Sequence, residues 1–190
     1  MTRGLIALGE RSDLVKEGIR VHIEHAQDIQ HSKSAVVWLR VISSLAWLDS
    51  AVIGKDAKMS SAFLSGDGLA ERVTETFIHT AVTPGVASFL QNVVLPHVQI
   101  CAVLIAFGDL VIGISLMLGF LTRVGGCLAI ARAVTNILVV GGAGPDTIGF
   151  NVMLITAGVI ATATGSGRRY GIDGWLLARW PSVRFLRFLA

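Results

Sequence analysis

The chain has 190 residues, of which 53% are hydrophobic and only 15% charged, with a mean hydropathy of +0.67. Soluble domains carry about 25% charged residues, so the balance excludes an ordinary soluble fold. The net charge of +3 is small, and no basic face interleaved with aromatics suggests nucleic acid as a partner.

Residues 1–34 mix Arg3, Glu10, Arg11, Asp13, Lys16, Glu17, Arg20 and Glu24 without an apolar run. They do not read as a cleavable signal peptide, and the first spanning helix is expected to act as the insertion signal. Within them, Val15, Ile19, Ile23 and Ala26 recur at helical spacing behind Ser12, a suitable N-cap. The spacing predicts a cytoplasmic amphipathic helix over 12–30, either on a membrane surface or docked on a partner. His22 and His25 are one helical turn apart, with His31 beyond them. No acidic or cysteine co-ligand pattern accompanies them, which argues against a metal.

Residues 35–53 form the first predicted span. Arg40, Ser44, Trp47 and Ala51 share a face, and Arg40 is expected to snorkel outward from near one end. The connection over 54–96 opens polar and Ser/Gly-rich. Ala70, Val73, Phe77 and Ala81 then make an apolar stripe opposite Glu71, Arg72 and Glu75, predicting a short helix in the membrane interface. Val86 to Leu95 is apolar but too short to span, and reads as re-entrant or flat-lying. Pro96 marks a kink or boundary.

The second span, 97–119, carries one carboxylate, Asp109, near its middle. Ala102, Ala106, Asp109 and Gly113 fall on one face, and small residues let helices approach closely in lipid. An acid at that depth costs several kcal/mol and should find a partner. The third span, 124–140, offers one: Gly125, Ala129, Arg132 and Asn136 share a face. Antiparallel packing through the two small-residue faces places Arg132 against Asp109. A glycine-rich turn at Gly141–Asp146 leads to the fourth span, 148–164, which carries Asn151 and a small face of Ala157, Gly158, Ala161 and Thr162. Residues 166–190 form a basic and aromatic tail. Trp175 and Trp180 beside Arg179, Arg184 and Arg187 suit an anchor at headgroup level.

With four spans both termini lie on the side of the Arg123 turn. Nearly all Lys and Arg lie there too, against only Lys55, Lys58 and Arg72 on the other side. The positive-inside rule therefore predicts a plasma-membrane protein with both termini cytoplasmic.

The two cysteines, Cys101 and Cys127, sit near opposite ends of consecutive spans, so a disulfide is not expected. No Cys/His cluster points to zinc or iron–sulfur. His97 and Cys101 lie one turn apart at the outer end of the second span. They are candidates for a histidine-activated thiolate, although a packed cysteine is the commoner role. A haem between His79 and His97 would need an approach that nothing in the pattern fixes. No intrinsic redox centre is evident. The glycines at Gly141, Gly142 and Gly144 lack the Lys-Ser/Thr of a nucleotide loop, and four spans without a visible repeat make a transporter the weaker reading.

Several motifs together resemble the DoxX/DoxD family, whose DoxD branch includes the membrane subunit of thiosulfate:quinone oxidoreductase. They are Leu39-Arg-Val-Ile with Trp47 and Lys55, Gly108-Asp109-Leu-Val-Ile-Gly113, Leu118-Gly-Phe-Leu-Thr-Arg123, Asn151, and Gly165-Ser-Gly-Arg168-Arg-Tyr-Gly-Ile-Asp173. The resemblance covers about Trp38 to Leu176. The family typically has Glu where this chain has Asp109, so the acid is kept but shortened. The resemblance implies an all-α, four-transmembrane-helix bundle tied to respiratory electron transfer, with a quinone as the expected small molecule and other membrane subunits as partners. It does not decide between a quinone-linked oxidoreductase subunit and a non-catalytic accessory or anchoring subunit of a larger respiratory complex. For the first reading the candidate intramembrane site is Asp109, Arg132, Asn136 and Asn151. For the second, the same charges are a buried pair that fixes helix register.

Overall fold

The structure, a computed structural model, describes residues 34–54 and 57–180. The helix expected over 12–30 with His22 and His25, together with His31, Lys55, Arg184 and Arg187, lies outside the described residues. The chain divides into two units, Met1–Val36 and Val37–Ala190. Only the first turn of one helix is described from the former, and all that follows concerns the latter.

The described residues are all-α, with four helices long and apolar enough to cross a membrane: Ser34–Ile53, Pro84–Leu118, Thr122–Ala143 and Pro145–Thr164. We number the helices α1 (Ser34–Ile53), α2 (Ser61–Leu64), α3 (Asp67–Arg72), α4 (Pro84–Phe89), α5 (Val98–Leu118), α6 (Thr122–Val140), α7 (Pro145–Thr164), α8 (Gly167–Tyr170) and α9 (Ile172–Arg179). Helix α1 closes in a π-helical turn, Asp49–Ile53. Helix α3 continues through Val73–Phe77 and Ile78–Thr80.

The small-residue faces read from the sequence are the faces that pack. Ala102, Ala106, Asp109 and Gly113 of α5 are buried, as are Gly125 and Ala129 of α6 and Ala157, Gly158 and Ala161 of α7. A core of Trp47, Ile112, Leu116, Ala129, Ala133, Leu154 and Ala161 joins all four long helices. The lipid-side residues are large and apolar: Ile100, Leu104, Val111 and Val152 are among the exposed ones. Helices α6 and α7 bring their backbones into close approach. A Cβ on Gly126 would lie 2.8 Å from the Gly158 carbonyl oxygen, and one on Gly158 would lie 3.0 Å from that of Gly126.

Two expectations change. The apolar run before Pro96 is helical and continuous with the second span. It passes from α4 through Leu90–Val94 and a 3₁₀ turn, Leu95–His97, where the proline bends the helix without ending it. The stripe of the 54–96 connection turns toward protein. Val73 and Leu69 are buried in one cluster with Phe63, Leu90, Val94, Ala102 and Ala106. An apolar stripe beside an open helix face gains more from shape-matched packing than from lying in the interface. The connection is also strapped to the end of α6, through Thr80 Oγ1 donating to the Val139 carbonyl (3.2 Å) and Val82 N to the Leu138 carbonyl (3.0 Å).

Candidate functional site

Asp109 is fully buried on the packing face of α5. Arg132 of α6 donates through Nε to Asp109 Oδ1 at 3.0 Å. Lys58, from the loop after α1, donates through Nζ to Asp109 Oδ2, and also to Ser50 Oγ at 2.6 Å. One carboxylate therefore serves two cations, leaving a formal surplus of one positive charge when Lys58 is protonated. The Lys58 loop is fixed from below: Lys58 N donates to the Ser50 carbonyl and Met59 N to the Ala51 carbonyl, closing the π-turn of α1. The Lys58 ammonium is pushed below its ordinary range, chiefly by burial. Asp109 opposes this and Arg132 adds to it.

Beside this triad lies a cavity of about 400 Å³, within the size range of small-molecule sites. Its walls are almost wholly apolar, with Phe63, Leu90, Val94, Leu104, Ile105 and Leu138 among them. The polar groups reaching it are Lys58, Arg72, Arg132, Thr135, Asn136 and the Cys101 thiol. Three wall residues, Phe89, Leu104 and Leu138, are 54%, 67% and 43% exposed, so the cavity borders the lipid-side surface.

The other sequence candidates separate into two groups. Asn136 lines the cavity and donates through Nδ2 to Asn151 Oδ1 at 3.1 Å. Asn151 is buried and donates to the Thr147 carbonyl at 2.8 Å, so it holds α7 to α6 and does not line the cavity. Cys101 is on the cavity wall, and both cysteines are free thiols. His97 is exposed, with its ring Nδ1 at 3.1 Å from the Val93 carbonyl. The site residue that periodicity missed is Lys58. It belongs to a loop, and its one sequence signal was a cation two residues past an Asp in an otherwise polar stretch. Among the described residues no three His, Cys, Asp or Glu side chains group in a way that could hold a metal ion.

A second polar cluster occupies the opposite end of the bundle, and here one expectation is corrected. Arg40 does not snorkel: it is 2% exposed and donates through Nη2 to the Tyr170 carbonyl at 3.2 Å. Snorkelling presumes lipid on every side, but the start of the tail covers Arg40 with protein. Asp173 accepts from Leu121 N (2.6 Å), Thr122 N (2.9 Å) and Thr122 Oγ1 (2.8 Å), so it caps α6 from 52 residues away. It also holds Leu121 in a left-handed conformation, φ 50. Gly119 ends α5 at φ 64, and a Cβ there would lie 2.6 Å from Arg40 Nη1. The Leu118–Arg123 and Gly165–Asp173 motifs thus form one clamp. Trp175 and Trp180, beyond it, are exposed and meet edge-to-face at 6.2 Å.

The family model described as "TQO small subunit DoxD" matches residues 36–188, a range that holds both clusters and the four long helices apart from the first two residues of α1. Comparison with curated proteins and with solved structures gives no match. The chain belongs to the DoxD family.

Proposed function

From DoxD membership as the premise, we propose that this chain is the membrane subunit of a quinone-linked oxidoreductase of the thiosulfate:quinone type, and that the cavity beside the Lys58–Asp109–Arg132 triad receives the quinone. The carrying observation is the match between the cavity and that ligand: an apolar volume of about 400 Å³ bordered by lipid-exposed Phe89, Leu104 and Leu138, with its donors at the charged end. A quinone has the same division, with a flat apolar body and tail and two carbonyl oxygens that accept hydrogen bonds.

Each polar residue has a role in that reading. Asp109 holds the two cations in place without reaching the ligand. Arg132 keeps four N–H groups beyond the Nε–H given to Asp109, and Lys58 keeps one ammonium proton beyond those given to Ser50 and Asp109. These groups, with the Asn136 amide, are the donors for a carbonyl oxygen. Lys58 is also the group best placed to pass a proton to it, because burial already weakens its hold on that proton. Electrons come from a partner subunit or from substrate at the same site. In the plasma membrane, with both termini cytoplasmic as the Lys/Arg distribution favours, the cavity belongs to the outer half of the bundle.

The test is photolabelling of the purified chain in nanodiscs with an azido-quinone. We expect adducts on the walls formed by Leu104, Ile105 and Leu138. Leu138→Trp, which fills the cavity and leaves the charges intact, should abolish them. Labelling elsewhere, or labelling that Leu138→Trp leaves unchanged, would refute the quinone site and favour the anchoring-subunit reading.

A further inference from the structure

Lys58 stands between two environments. Its side chain lines the cavity, and from the loop side it is held by Ser50, whose hydroxyl accepts from Nζ at 2.6 Å. Ser50 is half-buried and does not line the cavity, and Asp49 beside it in the π-turn is exposed. The Lys58 side chain itself keeps 15% exposure. The charged groups around its ammonium are Asp109 from α5 and Arg132 from α6, with Arg72 of α3 acting through space. Burial has already loosened the hold of Lys58 on its proton.

The opposite direction is closed. Ile112 and Leu116 follow Asp109 on the same face of α5, one and two turns nearer the clamp, and are 3% and 1% exposed. They pack with Trp47, Ala129, Leu154 and Ala161 in the core that joins the four long helices. From Asp109 to Leu116 this layer is about 10 Å deep along the helix. Its polar groups form no relay. The Trp47 indole N–H is buried without an acceptor among the described residues, and an indole can only donate. Ser43 and Ser44, deeper on α1, turn their hydroxyls to carbonyls of their own helix, Arg40 at 2.9 Å and Val41 at 2.6 Å. A group that hands protons on must accept as well as donate, and Ser50 is the hydroxyl beside Lys58 that can do both.

We propose that the cavity exchanges protons with the water on the loop side of the bundle alone, through Ser50 and Lys58, and that the apolar layer beneath Asp109 seals it from the clamp side. This rests on the quinone reading for the molecule that receives the proton. In the step itself a Lys58 N–H bond breaks and the proton passes to an oxygen of the bound molecule, leaving a neutral amine. The Ser50 hydroxyl then gives its proton to Nζ while a proton from water replaces it on Oγ. No electron moves, Ser50 and Lys58 end as they began, and one proton has crossed from loop-side water to the cavity. A quinone reduced with electrons from that same side would take up its protons without moving charge across the membrane.

The relay is read from hydrogen exchange. The full chain in nanodiscs carries nitrogen-15 in its lysines, Lys16, Lys33, Lys55 and Lys58, and Lys58→Arg identifies the Lys58 signal. In Ser50→Ala, exchange of the Lys58 ammonium hydrogens with water should slow about tenfold, the order expected when one hydrogen bond is lost from the transfer path. Ser50→Thr, which keeps the hydroxyl, should stay within about twofold of the parent. The seal is read in proteoliposomes holding a single chain each and captured through a C-terminal tag, so that the loop end faces the lumen. A lipid-soluble isothiocyanate, which attacks only a neutral amine, is added under a pH gradient, and labelled Lys58 is quantified by peptide mass. Labelling should rise about tenfold per unit of lumen pH below the Lys58 titration point and ignore the pH outside. Exchange unmoved by Ser50→Ala, or slowed equally by Ser50→Thr, would overturn the relay. Labelling that follows the pH on the tag side would overturn the seal. Neither measurement contains a quinone, so the two claims separate. If both come out as expected while the azido-quinone labels elsewhere, the quinone reading alone fails. If exchange ignores Ser50→Ala while azido-quinone adducts stay on Leu104, Ile105 and Leu138, only the proton route fails.

Discussion

Replacing Asp109 with Asn removes the one charge that holds Lys58 and Arg132 together while keeping the shape of the side chain. Asp109 is fully buried, and its two oxygens are each committed to a different cation. Removing one member of a buried ion pair costs about 3–5 kcal/mol, because the other charge is left without compensation. Here the stranded cations keep 15% and 20% of their side-chain exposure. Only one of them can keep a hydrogen bond to the new amide oxygen, and the other meets the amide NH2, which only donates, so the expected loss is about 3–5 kcal/mol. The assay is reversible denaturation in mixed micelles, followed by helical circular dichroism. The informative quantity is the cycle with Arg132→Gln. Contacting charges couple by about 0.5–3 kcal/mol, so the double variant should be less damaged than the two single changes combined. Asp109→Glu, which keeps the charge, should recover most of the loss. Additivity within about 0.5 kcal/mol would show that Asp109 and Arg132 do not depend on each other. A neutral Asp109→Asn would remove the triad as a structural feature altogether.

Three further outcomes follow from the same geometry. Asp173→Ala should destabilise the chain by about 2–4 kcal/mol, since three donors at the start of α6 lose a charged acceptor, and thermal unfolding in detergent reads it. Gly126→Ala should cost about 1–3 kcal/mol in the same assay, because the added Cβ meets the Gly158 carbonyl, which cannot move without parting α6 from α7. Lys58 gives a pH dependence: its folded-state value lies below the ordinary 10.5, so between the two values the unfolded chain binds more protons. Stability should therefore rise as pH increases through that window. Lys58→Met should flatten that part of the stability–pH curve, and an unchanged slope would show that Lys58 is not the group responsible.

Much of the bundle was legible because lipid enforces a simple code. Helices that meet through Ala102, Ala106 and Gly113, or through Gly125 and Ala129, announce their shared face by spacing alone. A carboxylate and a guanidinium on two such faces then have little freedom over where to meet. Lys58 follows no such code. Its position depends on how a π-turn closes α1 and carries the loop back over α5, and loop geometry leaves no period in the sequence. The same holds for Asp173, whose partners lie 52 and 51 residues away. Arg40 was misread for a related reason. Its helical position was clear, but its burial depends on the tail, which only the fold brings over it.

The motifs that carry the family resemblance divide between the two ends of the bundle, and the division separates their roles. At the clamp, Asp173 accepts from the Leu121 and Thr122 backbone and from the Thr122 hydroxyl, Arg40 donates to the Tyr170 carbonyl, and Gly119 packs against the Arg40 guanidinium. Its residues are constrained by helix termination, and damage there should lower stability without altering what the cavity binds. At the other end, Gly108-Asp109-Leu-Val-Ile-Gly113 supplies only the carboxylate of the triad. The rest of that site comes from Lys58 and the wall residues of α2 to α6, outside the motifs quoted for the family apart from Asp109 itself. A shared motif can therefore fix the charge at the end of the cavity while the wall residues set its shape and access. On this division, substitutions at Leu104, Leu138 or Arg72 should change which molecules enter, whereas substitutions at Gly119 or Asp173 should change only how much folded protein there is to receive them.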